Sequence, residues 1–125
     1  DRAALAADGQ CLCGAVTLSL TGPPRFSVLC HCQDCQRISG GGQFPQAVFK
    51  RTDLAVDGPV ETYVWRSDAG FDLTLGFCSQ CGSPIYKTTS KMPDAVFVAA
   101  GLLEDQSVFV SPVQAYSDRK TNSHL

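Results

Sequence analysis

Seven cysteines fall into three short clusters whose spacing is typical of metal-binding turns. The clusters are Cys11-Leu-Cys13, Cys30-His-Cys32-Gln-Asp-Cys35 and Cys78-Ser-Gln-Cys81. Four thiolates saturate a tetrahedral zinc ion, whereas three leave one coordination position open for a substrate. A chain with seven thiols can therefore build one closed structural site and one open site that does chemistry.

The seven thiols can be divided in two ways. In the first, the two outer clusters form one four-thiolate site and the middle cluster binds a second metal through three thiolates. The ligands of the first site are then Cys11, Cys13, Cys78 and Cys81, and those of the second are Cys30, Cys32 and Cys35. In the second division, the last two cysteines of the middle cluster pair with the last cluster, as in a zinc ribbon. We favour the first division because it closes a long loop, where a cross-link stabilises the fold most. The ribbon division would also place 42 residues between its two cysteine pairs, more than in a typical zinc ribbon.

The chemistry of a three-thiolate site is that of a soft metal centre. A thiolate from a small molecule can take the open position, and a bound thiolate beside an aldehyde can add to the carbonyl carbon to give a hemithioacetal. The alternative is that the middle cluster holds a second fold-stabilising metal, or is three reduced, buried thiols. Disulfides are disfavoured because the count is odd and because a bridge between Cys11 and Cys13 is strained.

Several neighbours of the middle cluster are candidates for the same site. His31 is a candidate general acid or base, a polar residue outside the site, or, awkwardly, a fourth ligand. Cys35 is expected to open a short helix, which would bring Arg37 near the metal to bind a substrate carboxylate or to form a surface ion pair. Six aromatic residues are expected in the core: Phe44, Phe49, Trp65, Phe77, Tyr86 and Phe97. Of these, Phe44 and Trp65 are the two candidates for a role at a pocket.

The elements that must position these residues are mostly strands. Alternating or apolar runs predict strands at 15–21, 26–29, 43–49, 54–56, 61–66, 71–77, 84–89 and from 95 onward, with a bend at Gly101. The helical signal is limited to 34–39, which is stopped by Gly40-Gly-Gly42. Gly14 and Gly82 follow their cysteine clusters, and glycine admits the backbone angles that turn N–H groups toward sulfur. We therefore predict an all-β, antiparallel domain with metal-binding turns and at most one or two short helices.

Composition excludes several classes of protein. The chain has 125 residues, 44% hydrophobic and 18% charged, with a net charge of −2, which predicts one globular domain. Neither half carries a basic stripe, which argues against a nucleic-acid partner. No apolar run is long enough to span a membrane, and the N-terminus lacks the apolar core of a secretion signal, so a cytoplasmic location is expected. The sequence is compatible with a homo-oligomer.

The three clusters, in this order and with these spacings, resemble those of the glutathione-dependent formaldehyde-activating enzymes, whose domain also occurs in centromere protein V. The matching stretches begin at Cys11-Leu-Cys13-Gly14, Cys30-His-Cys32-Gln-Asp-Cys35 and Gly76-Phe-Cys78-Ser-Gln-Cys81, and 96–103 is similar to a late strand and turn of the family. The resemblance covers residues 9–116, which leaves 1–8 as an N-terminal extension and 117–125 as a loose C-terminal tail.

The resemblance implies a β-tent fold, a set of small antiparallel sheets, and two zinc ions per chain. It implies that Cys11, Cys13, Cys78 and Cys81 hold a structural zinc, and that Cys30, Cys32 and Cys35 hold a catalytic zinc. The activity that it implies joins formaldehyde to glutathione, as a carbon–sulfur lyase. The chain departs from the family near Gln114, where members commonly have a histidine, so no glutathione-binding residues are transferred.

Two further functions remain alternatives at this stage. A non-catalytic, zinc-stabilised β domain that binds a partner would also explain seven cysteines, and a fully protein-ligated middle site would favour it. A nucleic-acid-binding zinc domain is the weakest alternative, because the charges are evenly distributed along the chain.

Overall fold

The computed structural model of the chain describes residues 6–109 and 112–115. The regular elements in these ranges are ten strands and one α-helix. In chain order they are β1 (Ala6–Gln10), β2 (Thr17–Thr21), β3 (Phe26–Cys30), α1 (Gln33–Ser39), β4 (Phe44–Lys50), β5 (Leu54–Asp57), β6 (Val60–Arg66), β7 (Asp72–Cys78), β8 (Pro84–Thr89), β9 (Ala95–Ala99) and β10 (Val113–Ala115).

The strands form two sheets. A three-stranded sheet has the order β1-β2-β5, and a seven-stranded sheet has the order β10-β3-β4-β9-β8-β7-β6. Neighbouring strands are antiparallel, except that β10 pairs with β3 in parallel. The all-β fold with cysteine-bearing turns and one short helix is confirmed, and the parallel strand is a feature that the sequence did not predict.

The main core contains side chains from both sheets. In β2 exposed and buried residues alternate, so that Leu18 and Leu20 face inward. They pack in one cluster with Phe49 of β4 and Val98 of β9. Burying an aliphatic or aromatic side chain of this size contributes about 1.5–3 kcal/mol. Cys11 and Cys78 belong to this same core cluster, so one group of cysteines lies where the two sheets meet.

The helix differs from the prediction at its first turn. Cys35 was expected to open it, but Cys32 is the N-cap, and its sulfur accepts a hydrogen bond from the backbone N–H of Cys35 at 3.4 Å. The sulfur therefore takes the role that a serine or aspartate oxygen usually has. The helix ends at Gly40, whose φ of 76° is left-handed, as the glycine run indicated.

The ends of the described chain add two strands to those predicted. β1 begins at residue 6, within the segment predicted as an N-terminal extension. At the predicted bend near Gly101, the chain forms a 3₁₀ turn over Ala100–Leu102. β10 comes later in the chain, at Val113–Ala115. The predicted tail, 117–125, lies outside the described residues. Within the described ranges, no helix combines the length and the apolar character needed to cross a bilayer.

Candidate metal centres

The first cluster of sulfurs joins the turn after β1 to the turn between β7 and β8. The sulfurs of Cys11, Cys13, Cys78 and Cys81 all lie within 4.8 Å of one another. The distance from the Cys13 sulfur is 3.7 Å to that of Cys11 and 3.8 Å to that of Cys78. The backbone N–H of Leu12 also donates to the Ser83 hydroxyl across the two turns, at 3.1 Å. Residues 65 positions apart in the chain are thereby held together.

Backbone N–H groups surround these sulfurs. Val16 donates to the Cys11 sulfur at 3.3 Å, and Gln80 and Cys81 both donate to the Cys78 sulfur at 3.4 Å. The turns reach this geometry through Gly14 and Gly82, whose φ angles of 82° and 80° are the left-handed values expected of glycine here. Such bonds stabilise thiolates without any charged side chain.

The hydroxyl of Ser83 acts on one of these thiols. It lies 3.2 Å from the Cys81 sulfur, and this hydrogen bond, with one from the backbone of Ser83, lowers the pKa of Cys81 to about 5. The pKa of Cys13 changes in the opposite direction. A hydrogen bond from the backbone of Ala15 lowers it, but desolvation and the neighbouring cysteine sulfurs outweigh that bond and raise it to about 11.

The second cluster lies in the single segment from the end of β3 to the start of α1. The sulfurs of Cys30, Cys32 and Cys35 lie within 4.8 Å of one another, and the Cys30 thiol donates to the Cys32 sulfur at 3.3 Å. Hydrogen bonds from Cys30 and Cys35 lower the pKa of Cys32 to about 2, whereas hydrogen bonds with Cys30 and Cys32, together with burial, raise the pKa of Cys35 far above its ordinary value. Of the three thiols, Cys32 is therefore the most readily deprotonated.

Apolar and polar groups share the surroundings of this second cluster. Phe44 and Ala99 are buried against Cys30 and Cys35. The amide nitrogen of Gln46 lies 4.0 Å from the Cys35 sulfur and donates to the carbonyl of Phe44 at 3.1 Å. The amide oxygen of Gln46 is buried and has no hydrogen-bond partner. Gln46 thus places its amide nitrogen near the Cys35 sulfur, while its amide oxygen is left without a partner.

A cation also contacts the second cluster. The Lys87 ammonium, carried by β8, lies 3.6 Å from the Cys35 sulfur and 5.3 Å from the centre of the Phe97 ring. Lys87 is half-buried. Neither Lys87 nor Gln46 was identified from the sequence as a site residue. The alternation at 84–89 predicts on which face of the sheet each side chain lies. It does not predict that Lys87 contacts the thiol of Cys35.

His31 is not among the clustered ligand atoms. Its side chain is 1% exposed, and its Nε2 lies 2.7 Å from the Gln114 amide oxygen on β10. Its backbone N–H donates to Ala115, and its carbonyl accepts from the Gln36 amide. The His31 ring therefore joins β3 to β10 and not to a metal, although its Nδ1 is buried without a hydrogen-bond partner. This contact involves the position at which the chain departs from its predicted relatives.

The other predicted neighbours occupy distinct positions. Arg37 is exposed on α1, away from the buried side of the helix, and Phe44 is buried beside the thiols. The Trp65 indole N–H donates to the Asp34 carboxylate of α1 at 3.0 Å, and its ring stacks on that of Tyr63 at 5.9 Å. Trp65 is thus hydrogen-bonded to the first turn of the helix that bears Cys35.

Both clusters fit zinc by the chemistry of their donors. With Zn–S bonds of about 2.3 Å, a tetrahedral ion holds its sulfurs about 3.8 Å apart, close to the separations of Cys13 from Cys11 and Cys78. All seven cysteines are free thiols, and their sulfur separations exceed the disulfide length of about 2.05 Å. Among the described residues, the first cluster offers four ligands and the second offers three, which is the division favoured from the sequence.

Comparison with known proteins supports the resemblance seen in the cysteine clusters. The sequence matches the family described as glutathione-dependent formaldehyde-activating enzyme over residues 6–119. A crystal structure of a protein from Rhodobacter sphaeroides is similar in fold, with a TM-score of 0.62 and 24% sequence identity, covering 78% of this chain and 87% of that one. No curated protein matches the sequence.

Proposed function

Because the chain belongs to the glutathione-dependent formaldehyde-activating enzyme family, we propose that it adds a small thiol, such as glutathione, to an aldehyde, such as formaldehyde, or catalyses the reverse cleavage. In the addition, the sulfur forms a bond to the carbonyl carbon and the π pair moves to oxygen. The thiol proton ends on that oxygen, so the product is a hemithioacetal. This is the reaction of a carbon–sulfur lyase of the S-hydroxymethylglutathione synthase type.

The observation that carries the proposal is the unequal number of ligands in the two clusters. Within the described residues, Cys30, Cys32 and Cys35 converge without a fourth protein ligand, and the nearby His31 is bonded elsewhere. These three residues would hold a catalytic zinc, which supplies a soft Lewis acid with room for a substrate thiolate. Cys35, fully buried, would be held by the first turn of α1, while Phe44 excludes water from one side.

A second zinc would have a structural role in this proposal. Its ligands would be Cys11, Cys13, Cys78 and Cys81, which leave no open position and connect the two sheets. Two zinc ions per chain would then be present. A cytoplasmic location forms part of the proposal, and the seven free thiols support it, since reducing compartments preserve such thiols.

NMR exchange spectroscopy with ¹³C-labelled formaldehyde and glutathione tests the activity. The zinc-loaded protein should accelerate the interconversion of free and thiol-bound formaldehyde above the uncatalysed rate, and Cys35→Ser should not. The matched control is Lys91→Met, a surface change that should leave the rate unaltered. If the unsubstituted protein with two bound zinc ions gives no acceleration, the formaldehyde reaction is excluded and the non-catalytic zinc domain becomes the better interpretation.

A further inference from the structure

Lys87 differs from an ordinary surface lysine because the sheet fixes its position. It lies on β8, a strand with neighbours on both sides, where it pairs with Leu75 of β7 and Phe97 of β9. Its ammonium contacts the Phe97 ring at 5.3 Å, a cation–π contact, and the Cys35 sulfur at 3.6 Å. The charge is therefore held beside the three-cysteine cluster and not free in solvent.

The net charge expected at a metal-loaded cluster explains how the Lys87 ammonium could affect ligand binding. Three thiolates and a divalent metal carry a net charge of −1, and a substrate thiolate would make it −2. Adding an anion to a site that is already negative is unfavourable, and more so where protein limits solvent screening. A fixed cation beside the ligand shell removes part of this cost for an anionic ligand, but gives no such advantage to a neutral one.

We propose that Lys87 is a positioning residue that compensates the charge of an incoming thiolate and so makes the three-cysteine site selective for anionic ligands. The inference rests on the proposed function, because it requires the open position there. It concerns a residue that lies 52 positions from Cys35 in the chain and reaches the site only through the fold.

A matched residue allows the electrostatic role to be separated from loss of packing. Lys91 also has its ammonium over an aromatic ring, that of Phe71, at 5.7 Å, but it is exposed. Lys91→Met therefore removes the same charge and the same kind of ring contact at a distance from the cysteines. Lys87→Arg keeps the charge, and Lys87→Met keeps most of the apolar stem.

The experiment uses the protein loaded with Co²⁺ and follows its visible absorption, because the spectrum changes when an added ligand enters the open position. Two probes are titrated separately: 2-mercaptoethanol, which binds as a thiolate, and imidazole, which binds as a neutral ligand. We expect Lys87→Met to weaken thiolate binding by about tenfold or more, with imidazole binding unchanged. Lys87→Arg should restore thiolate binding, and Lys91→Met should behave as the unsubstituted protein does.

The outcomes distinguish the two proposals. If Lys87→Met binds both probes as the unsubstituted protein does, or loses both equally, the role of Lys87 is refuted while the open site stands. If the unsubstituted protein with two bound cobalt ions takes up neither probe, the open position itself is absent and the proposed function fails first.

Discussion

The four-cysteine cluster connects turns that belong to different sheets, whereas the three-cysteine cluster lies within six consecutive residues, 30–35. The first is contacted by backbone N–H donors at Cys11 and Cys78 and by one neutral side chain, the Ser83 hydroxyl. The second has a backbone donor at Cys32, but it is also contacted by the cationic side chain of Lys87 and by the amide of Gln46. Backbone donors are fixed by the turn, while side chains can be adapted to a ligand. A cysteine sulfur is thus held in a fixed environment in the first cluster, whereas in the second its environment includes a charged side chain that can interact with a ligand.

The difference shows how one domain can use two similar sites for separate tasks. A metal between distant segments stabilises the fold because the unfolded chain does not keep its ligands together. A metal within one short segment cross-links little of the chain, so it contributes less to the stability of the fold. Substitutions in the two clusters should therefore have different consequences, which the following experiments compare.

The largest effect is expected from Cys78→Ser, which removes a fully buried ligand of the four-cysteine cluster. Structural zinc contributes about 10–16 kcal/mol in zinc-finger peptides, as much as the whole stability of about 5–15 kcal/mol of a typical domain. We expect the cooperative thermal transition to disappear, measured by circular dichroism, with less than two metal ions bound. A variant that melts like the unsubstituted protein would contradict the structural role.

The matched change in the other cluster is Cys35→Ser, also at a fully buried sulfur. It should abolish the formaldehyde reaction and remove one metal ion, because two thiolates remain in that cluster. The fold should persist, with Tm lowered by less than about 8 °C, the equivalent of about 1–2 kcal/mol. Mass spectrometry under native conditions gives the metal count. Loss of both ions or of the fold would mean that the clusters are not independent.

Thiol reactivity should follow pKa and not exposure. In protein stripped of metal by a chelator and kept folded by a stabilising salt such as sulfate, with the strands checked by circular dichroism, iodoacetamide at pH 6 should modify Cys81 and Cys32 first, because their pKa values are about 5 and about 2. Cys13 is the most exposed of the seven cysteines, but its pKa of about 11 should keep it unreactive until the solution is strongly alkaline. Peptide mapping identifies the modified residues, and early modification of Cys13 would reverse the expected order.

The smallest effect is expected from a contact remote from both clusters, which gives a baseline for stability. Arg25 donates to Asp94 at 3.0 Å and holds the pKa of Asp94 below its ordinary 3.8. A lowered folded pKa contributes stability above the unfolded pKa, and that contribution is lost as the pH falls through the folded value. Arg25→Met should thus lower Tm by at most about 4 °C at pH 7 and by less near pH 2. A larger loss at low pH would contradict this sign.

Local patterns were sufficient to predict eight of the ten strands described and the membership of each short cysteine cluster. A Cys-x-x-Cys turn followed by Gly82 has few ways to fold, and the run at 84–89 alternates clearly. The helix was also predicted, but its N-cap was not, because a cysteine sulfur is an unusual cap. These features depend on residues that are close together in the chain, whereas the meeting of the first and last cysteine clusters spans 65 positions and was favoured only because it closes a long loop.

Features that depend on distant residues could not be predicted. The contact of Lys87 with Cys35 requires the order of four strands and the packing of α1 on the sheet. The partner of His31 is on β10, 83 positions away, and that strand is too short to give a pattern. Alternation predicts a side chain's face, but not which residue of another strand it meets.

Trp65 gives the molecule an optical reporter on one side only. It is the single tryptophan of the chain, and its indole donates to Asp34, the residue before Cys35. Fluorescence emission depends on the polarity and hydrogen bonding of the indole, so a shift of α1 should change its wavelength or intensity. Binding and release of a metal or ligand at the three-cysteine cluster should then change the Trp65 fluorescence, with no added label. Changes at the four-cysteine cluster should not alter it until the fold itself is lost.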